Sequence, residues 1–237
     1  MKNCIIISDC HSPYHHRDTL AFLEAIKYEY DIEIAKNVGD IVDNHTASFH
    51  DIEYGCLSPK DEFLQARKFC QELAEIFPEM TISTGNHCIM THRKAKMAGI
   101  SLDHIKSYNE IYGVNWDWVD HDWFKVNEFN HCMMVHAMSK TTLTNAKTHS
   151  HCSIQGHHHG TYGLEYFADK QVLRWSMTVG CLIDPDSPAF NYAKGNTNNR
   201  PIIGCGAIVN DMPMLIPMQL RKSGRWNKRV GATEYTV

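Results

Sequence analysis

Short apolar runs alternate with helical periodicity through the first half of the chain. Residues 4–7 form an uninterrupted apolar run that stops at Ser8-Asp9, the pattern of a buried strand. Residues 80–83 repeat it and lead to Gly85-Asn86-His87, while 34–38, interrupted by Lys36 and Asn37, lead less tidily into Gly39-Asp40. Between these runs, Leu20, Phe22, Leu23, Ile26 and Tyr30 recur near helical spacing and predict a helix over 17–30, with Asp18 or Thr19 near its start. A second stripe of Phe63, Leu64, Phe69, Leu73, Ile76 and Phe77 predicts a helix over 61–77, entered at Ser58-Pro59 and ended by Pro78. The first half therefore reads βαβαβ.

Residues 93–112 predict helix in two pieces around Gly99, and the pattern beyond is mostly β. Strands are expected over 116–127 and 132–137, joined by a turn at Glu128-Phe129-Asn130, and over 153–155. A hairpin over 163–167 and 172–179 should turn near Asp169-Lys170. Residues 201–219 supply at least two further strands, held to edges and turns by Pro213 and Pro217. The segment after Leu220 is basic and polar. No internal repeat, linker or low-complexity region interrupts the chain, and 237 residues suit one large α/β domain over 1–237 with a basic tail from about 220.

A hydrophobic fraction of 43% and an aromatic fraction of 10% argue against disorder. Residues 1–3 lead straight into the first strand without the apolar stretch and small-residue cleavage site of a secretory leader. Nowhere does the chain approach the roughly 18 consecutive apolar residues of a membrane helix. Nine cysteines, an odd number without a CxxC pair, fit reduced thiols better than a disulfide framework, so a cytoplasmic protein is expected. The net charge of −4 argues against a surface built to wrap duplex DNA, yet is compatible with small phosphorylated substrates.

Five islands of metal-binding residues follow in order: Asp9-x-His11, Gly39-Asp40, Gly85-Asn86-His87, His136, and Gly156-His157-x-His159. They suffice for two ions. Asp9, His11 and His159 could hold one, Asn86, His136 and His157 the other, with Asp40 shared. Carboxylate, imidazole and amide oxygen together suit manganese foremost, with iron, nickel or zinc also accommodated, and do not suit a thiolate zinc finger. Singly the islands are weak. A D-x-H pair arises by chance, His136 alone reads as a core histidine at a strand end, and His157-His158-His159 alone reads as a nonspecific tract. Alternation along the chain lets Asp9 and His11 face one side, and likewise His157 and His159, which leaves His158 outside.

These islands in this order resemble the calcineurin-like metallophosphoesterases, and the resemblance reaches from Asp9 to His159. It implies an α/β fold in which two mixed β-sheets pack as a sandwich flanked by helices. It also implies a metal site of Asp9, His11, Asp40, Asn86, His136, His157 and His159, and a proton-donating role for His87 toward the leaving-group oxygen. In the related phosphoprotein phosphatases an acid three residues after the bridging Asp orients this histidine, a role that falls to Asp43. Two departures matter. Those phosphatases place an Arg after that acid to hold phosphate, where this chain has Asn44, and the usual acid after the GNH histidine is Cys88.

The expected activity is hydrolysis of a nucleotide or nucleic-acid phosphodiester by metal-activated hydroxide, a nuclease-like phosphodiesterase requiring two divalent ions. Phosphomonoester hydrolysis and a non-catalytic metal-binding interaction scaffold remain as alternatives. Among secondary candidates, Arg93 and Lys94 lie just past the GNH loop where an anion would sit. His15, His16, His45, His92 and His149 read as surface residues or phosphate contacts. Trp116, Trp118 and Trp123 could stack a base but suit packing better. Arg221, Lys222, Arg225, Lys228 and Arg229 offer a nucleic-acid contact or a solvated tail.

Overall fold

The computed structural model describes residues 1–48, 54–137, 141–170, 172–187, 190 and 200–230. Two mixed sheets carry the architecture. The first is ordered β11-β10-β1-β2-β3-β4, from β1 (Cys4–Ile7), β2 (Ile34–Asn37), β3 (Met80–Ser83), β4 (Asp117–Val119), β10 (Gly204–Val209) and β11 (Met212–Pro217). Its strands β1 to β4 pair in parallel, with β10 and β11 added antiparallel at one side. The second is ordered β5-β6-β7-β9-β8, from β5 (Asp122–Lys125), β6 (His131–Val135), β7 (Cys152–Gln155), β8 (Tyr162–Ala168) and β9 (Leu173–Val179). There β6, β7 and β9 are parallel, while β5 and β8 flank them antiparallel.

Why β1 is apolar at every position follows from its two buried faces. Cys4 and Ile6 join the layer between the sheets, together with Met134, Ile154, Trp175 and Met177 of the second sheet. Ile5 and Ile7 face the other way, into the core under α1 (Thr19–Glu29) and α2 (Pro59–Ile76), where Phe22, Leu23, Ile26, Phe69 and Leu73 pack. On the second sheet, α5 (Thr142–His149) packs against β7 and β9. The arrangement is thus a sandwich flanked by helices, as expected. No helix among the described residues is long and apolar enough to cross a membrane.

Lys36 and Asn37, which spoil the apolar run of β2, have structural explanations. Lys36 reaches across to Asp122 of β5, joining the two sheets by an ion pair, and lies 4.5 Å over the Phe124 ring. Asn37 Oδ1 accepts a bond from the Gly39 amide at 2.8 Å, shaping the turn into Asp40.

Three features depart from the sequence reading. The strand expected over 116–127 is two strands in different sheets, β4 pairing with β3 and β5 with β6. The helix pair around Gly99 is α3 (Met90–Met97), a single 3₁₀ turn Leu102–His104, and α4 (Tyr108–Tyr112), the last opened by a Ser107/Glu110 capping box and closed by left-handed Gly113. Helix α5 went unforeseen because it has no apolar stripe; Thr142, Asn145 and Ala146 are its buried residues. The basic segment after Leu220 is docked where it is described. Arg225 Nε meets Asp18 Oδ2 at 2.8 Å, the Trp226 amide donates to the same oxygen at 2.9 Å, and the Trp226 ring packs edge-on to Phe22 at 5.4 Å. Residues 231–237 of the expected tail lie outside the described residues.

Candidate metal centre

Every residue of the five motifs follows the C-terminal end of a parallel strand. Asp9 and His11 leave β1, Asp40 leaves β2, Asn86 and His87 leave β3, His136 leaves β6, and His157 and His159 leave β7. Strand ends of this kind are where open α/β sheets bind ligands. Four of these residues adopt left-handed backbone: Asp9 (φ 47), His11 (φ 48), Asp40 (φ 45) and His157 (φ 66). Non-glycine residues rarely do so, and such strain gathers at functional sites.

Motif glycines permit the close approach. A Cβ on Gly85 would lie 2.1 Å from Asp40 Oδ1, and one on Gly156 would lie 2.5 Å from Asp9 Oδ2. Only the bare backbone admits the carboxylates at these distances.

The structure brings together all seven candidate ligands. His159 Nε2 lies 3.1 Å and His11 Nε2 3.7 Å from Asp9 Oδ1. His136 Nε2 lies 3.0 Å from Asp40 Oδ2, 3.0 Å from Asn86 Oδ1 and 3.2 Å from His157 Nδ1. Asp40 Oδ2 is also 3.9 Å from His11 Nε2. Three ligand groups satisfy mutual donor distances within 4.8 Å: Asp9, His11 and His159; His11, Asp40 and His87; Asp40, His136 and His157. Asp40 therefore stands between the two histidine sets.

For Asp9, His11, Asp40 and His136, one side-chain atom is tied down and the other is directed inward. Asp9 Oδ2 accepts from the His157 amide at 2.9 Å and from the Ser8 hydroxyl, leaving Oδ1 to the histidines. Asp40 Oδ1 accepts from the His87 amide at 2.8 Å, leaving Oδ2. His136 Nδ1 donates to the Val38 carbonyl at 3.1 Å, and His11 Nδ1 donates to Asp43 Oδ1 at 2.6 Å. Outer carboxylate or carbonyl partners of this type fix the tautomer of a metal-ligating histidine.

The fit to a cation rests on two observations. His11 Nε2 is buried with no hydrogen-bond partner among the described residues, which is costly unless something else binds it. In addition, burial alone would raise the Asp9 carboxyl, yet the adjacent His11 and His159 imidazoles hold it well below the usual range, and Asp40 is likewise lowered, chiefly by His136. Burial works against charge on His11 and His136 too, but the carboxylates prevail and push them up to about 10 and about 9. The field in this pocket thus favours positive charge, which a divalent cation supplies.

His87 stands beside the cluster. Its Nδ1 donates to the Asp43 carbonyl at 2.7 Å and lies 3.2 Å from the Asp43 carboxylate, so Nε2 is the nitrogen left to meet a ligand. Asp43 consequently contacts both His11 and His87. The sequence suggested only the second contact. Cys88 points into the core under the helices, where burial pushes its thiol up to about 12, so it is an uncharged core residue and takes no part in orienting His87. Asn44 is left-handed (φ 51), and its Nδ2 donates to the His87 carbonyl at 2.9 Å.

Other sequence candidates fall elsewhere. Of the five additional histidines, His45 contacts Asp43, with Nδ1 3.7 Å from Asp43 Oδ2. His15 stacks on Phe69, His16 meets the Gly224 carbonyl, His92 packs on Tyr108, and His149 stacks on His151. Trp116 is buried and Trp118 stacks on Tyr108, so both pack, whereas Trp123 is exposed against His151. Arg93 and Lys94 are exposed on α3. Sequence reasoning missed Phe190, whose ring lies edge-on with its centroid 5.3 Å from that of His11 and 6.2 Å from that of His159. It sits in a polar stretch with no periodic signal.

No family model and no curated protein sequence matches the chain. Among solved structures, Vps29 of Chaetomium thermophilum superposes with a TM-score of 0.52 at 10% identity, covering 98% of this chain and 96% of that one. YfcE, a phosphoesterase from E. coli, gives 0.47 at 10% identity over 95% and 96%, and the nuclease MPE of Pseudomonas putida gives 0.36 at 16% identity over 90% and 86%. Two mixed sheets between helices, superposable over nearly the whole length of the first of these, show that the chain has the calcineurin-like metallophosphoesterase fold.

Proposed function

We propose that this chain, as a single domain, is a dinuclear metal-dependent phosphoesterase, and specifically a phosphodiesterase acting on a nucleotide or nucleic-acid diester. The observation that carries the reading is the convergence of seven filled ligand positions with Asp40 between two histidine sets. Asp9, His11 and His159 would hold one ion and Asn86, His136 and His157 the other. Bound there, manganese or a similar divalent metal supplies Lewis acidity at the phosphoryl oxygens and a hydroxide nucleophile at neutral pH.

The remaining roles belong to the chain itself. His87, its Nδ1 held by Asp43, presents Nε2 to donate a proton to the leaving oxygen. Asn44 stands where the related phosphatases use Arg to hold a phosphate dianion, and its amide is directed to the His87 carbonyl, which favours a diester over a monoester. A non-catalytic scaffold would not need every ligand position filled. All nine cysteines are free thiols, which suits the reducing cytoplasm.

The test is turnover of bis-p-nitrophenyl phosphate, p-nitrophenyl phosphate, cyclic nucleotides and single-stranded DNA by the manganese-loaded protein. Diester hydrolysis should exceed monoester hydrolysis. His87→Ala should lower turnover by roughly 10²- to 10⁴-fold while both metals stay bound. A fully metallated protein inert toward the whole panel would refute the proposal.

A further inference from the structure

A cavity of about 200 Å³ lies beside the His87 loop, between the start of α2, the 3₁₀ turn His45–Ala47 and Thr91 of α3. Its walls include Asn44, Thr46, Glu62, Phe63, Thr91 and Tyr112. We infer that it is the subsite for the organic part of the leaving group, and that it takes a nucleobase. The inference rests on the phosphodiesterase reading above and adds the substrate class.

The wall is built in advance of any ligand. Glu62 is 4% exposed, and its carboxylate accepts from the His45 amide at 2.6 Å, the Thr46 amide at 3.2 Å and the Thr46 hydroxyl at 2.9 Å, fastening the turn to α2. Asn44 links this wall to the proton donor, because its side chain donates to the His87 carbonyl at 2.9 Å. A group seated in the cavity is therefore one side chain away from the loop that carries His87.

Charge decides which part of the substrate enters. Among the described residues, the lining holds one carboxylate and neither Lys nor Arg, so a second phosphate is repelled and an uncharged group is accepted. Size narrows it further. At about 30 Å³ per water the space holds six or seven waters, enough for a heterocycle and too small for a complete nucleotide. Phe63, 38% exposed on α2, offers a ring face for stacking, while the Thr46 and Thr91 hydroxyls and Glu62 can meet the polar edge of a base.

The experiment needs no metal. Free nucleosides, with inorganic phosphate as a control, are titrated into metal-free protein and followed by saturation-transfer NMR. Nucleosides should bind saturably without competition from phosphate. Thr91→Trp, on an exposed helical site, should close the cavity and abolish that binding with an unchanged melting temperature, and Phe63→Ala should weaken it by removing a stacking face. In the manganese-loaded enzyme Thr91→Trp should raise KM for a dinucleotide about tenfold, or roughly 1.4 kcal/mol, with kcat at saturation little changed. If wild-type protein binds no nucleoside, or if Thr91→Trp binds them equally well, the subsite assignment is overturned even should the enzyme be active. Nucleoside binding lost in Thr91→Trp, in a protein that hydrolyses no ester, would support the subsite and refute the phosphodiesterase reading alone.

Discussion

Asp43 carries more of the centre than its place in the motif suggests. With Oδ1 at 2.6 Å from His11 Nδ1 and 3.2 Å from His87 Nδ1, one carboxylate orients a candidate metal ligand and the candidate proton donor. Asp43→Asn keeps the shape but weakens both contacts. Outer partners of metal-bound histidines typically contribute 10- to 100-fold in metal affinity, so calorimetric titration with manganese should show a loss of about that size, alongside reduced turnover. Unchanged affinity would mean that His11 is held by other groups. The candidate ligands themselves were legible from residue types and order. The contact of Asp43 with His11 was not, because the two lie 32 residues apart and only the pairing of β1 with β2 brings their loops together. Cys88 and Asn44 read as departures from a pattern in the sequence. Their side-chain directions, one into the core and the other to the His87 carbonyl, explain how the site is arranged around them.

Among the elements, the loop after β1 is secured by what packs on it. His15 bridges to Ile183 and lies with its ring 4.0 Å from that of Phe69 on α2. Burial, with a smaller effect from His16, pushes its imidazole down from 6.5 to about 4. An unfolded chain takes up this proton below about 6.5 and the folded one does so only near 4, so between those values the unfolded state binds more protons. The stabilisation is therefore complete above pH 6.5 and is lost as pH falls toward 4, by up to about 3 kcal/mol. Urea midpoints at pH 7.5 and pH 5 should fall further for wild type than for His15→Phe; equal falls would show that this ring is not the titrating group. Elements with an apolar stripe, α1 and α2, were legible to within a few residues. Helix α5 lacked one, and the break between β4 and β5 left no mark, because both strands draw on the same aromatic-rich stretch.

In the molecule as a whole, candidate ligands come from both sheets: Asp9, His11, Asp40 and Asn86 from loops of the first, His136, His157 and His159 from loops of the second. Metal that binds this arrangement and not the unfolded chain must stabilise it. At a hundredfold excess over Kd the gain is about 2.7 kcal/mol, which appears as a rise of several degrees in melting temperature, reversed by chelator. Asp40→Asn should suppress most of that rise by removing the carboxylate between the two histidine sets. A melting temperature indifferent to manganese would contradict the ligand set.

Local chemistry determined which stretches are buried strands, which are amphipathic helices, and which side chains can ligate a metal, since periodicity and residue type are properties of neighbouring positions. The tertiary structure alone decided which strands share a sheet, where Lys36 finds Asp122, which oxygen of each carboxylate faces inward, and that Asn44 joins a cavity to the His87 loop. Those outcomes depend on contacts between residues far apart in the chain, and no local pattern records them.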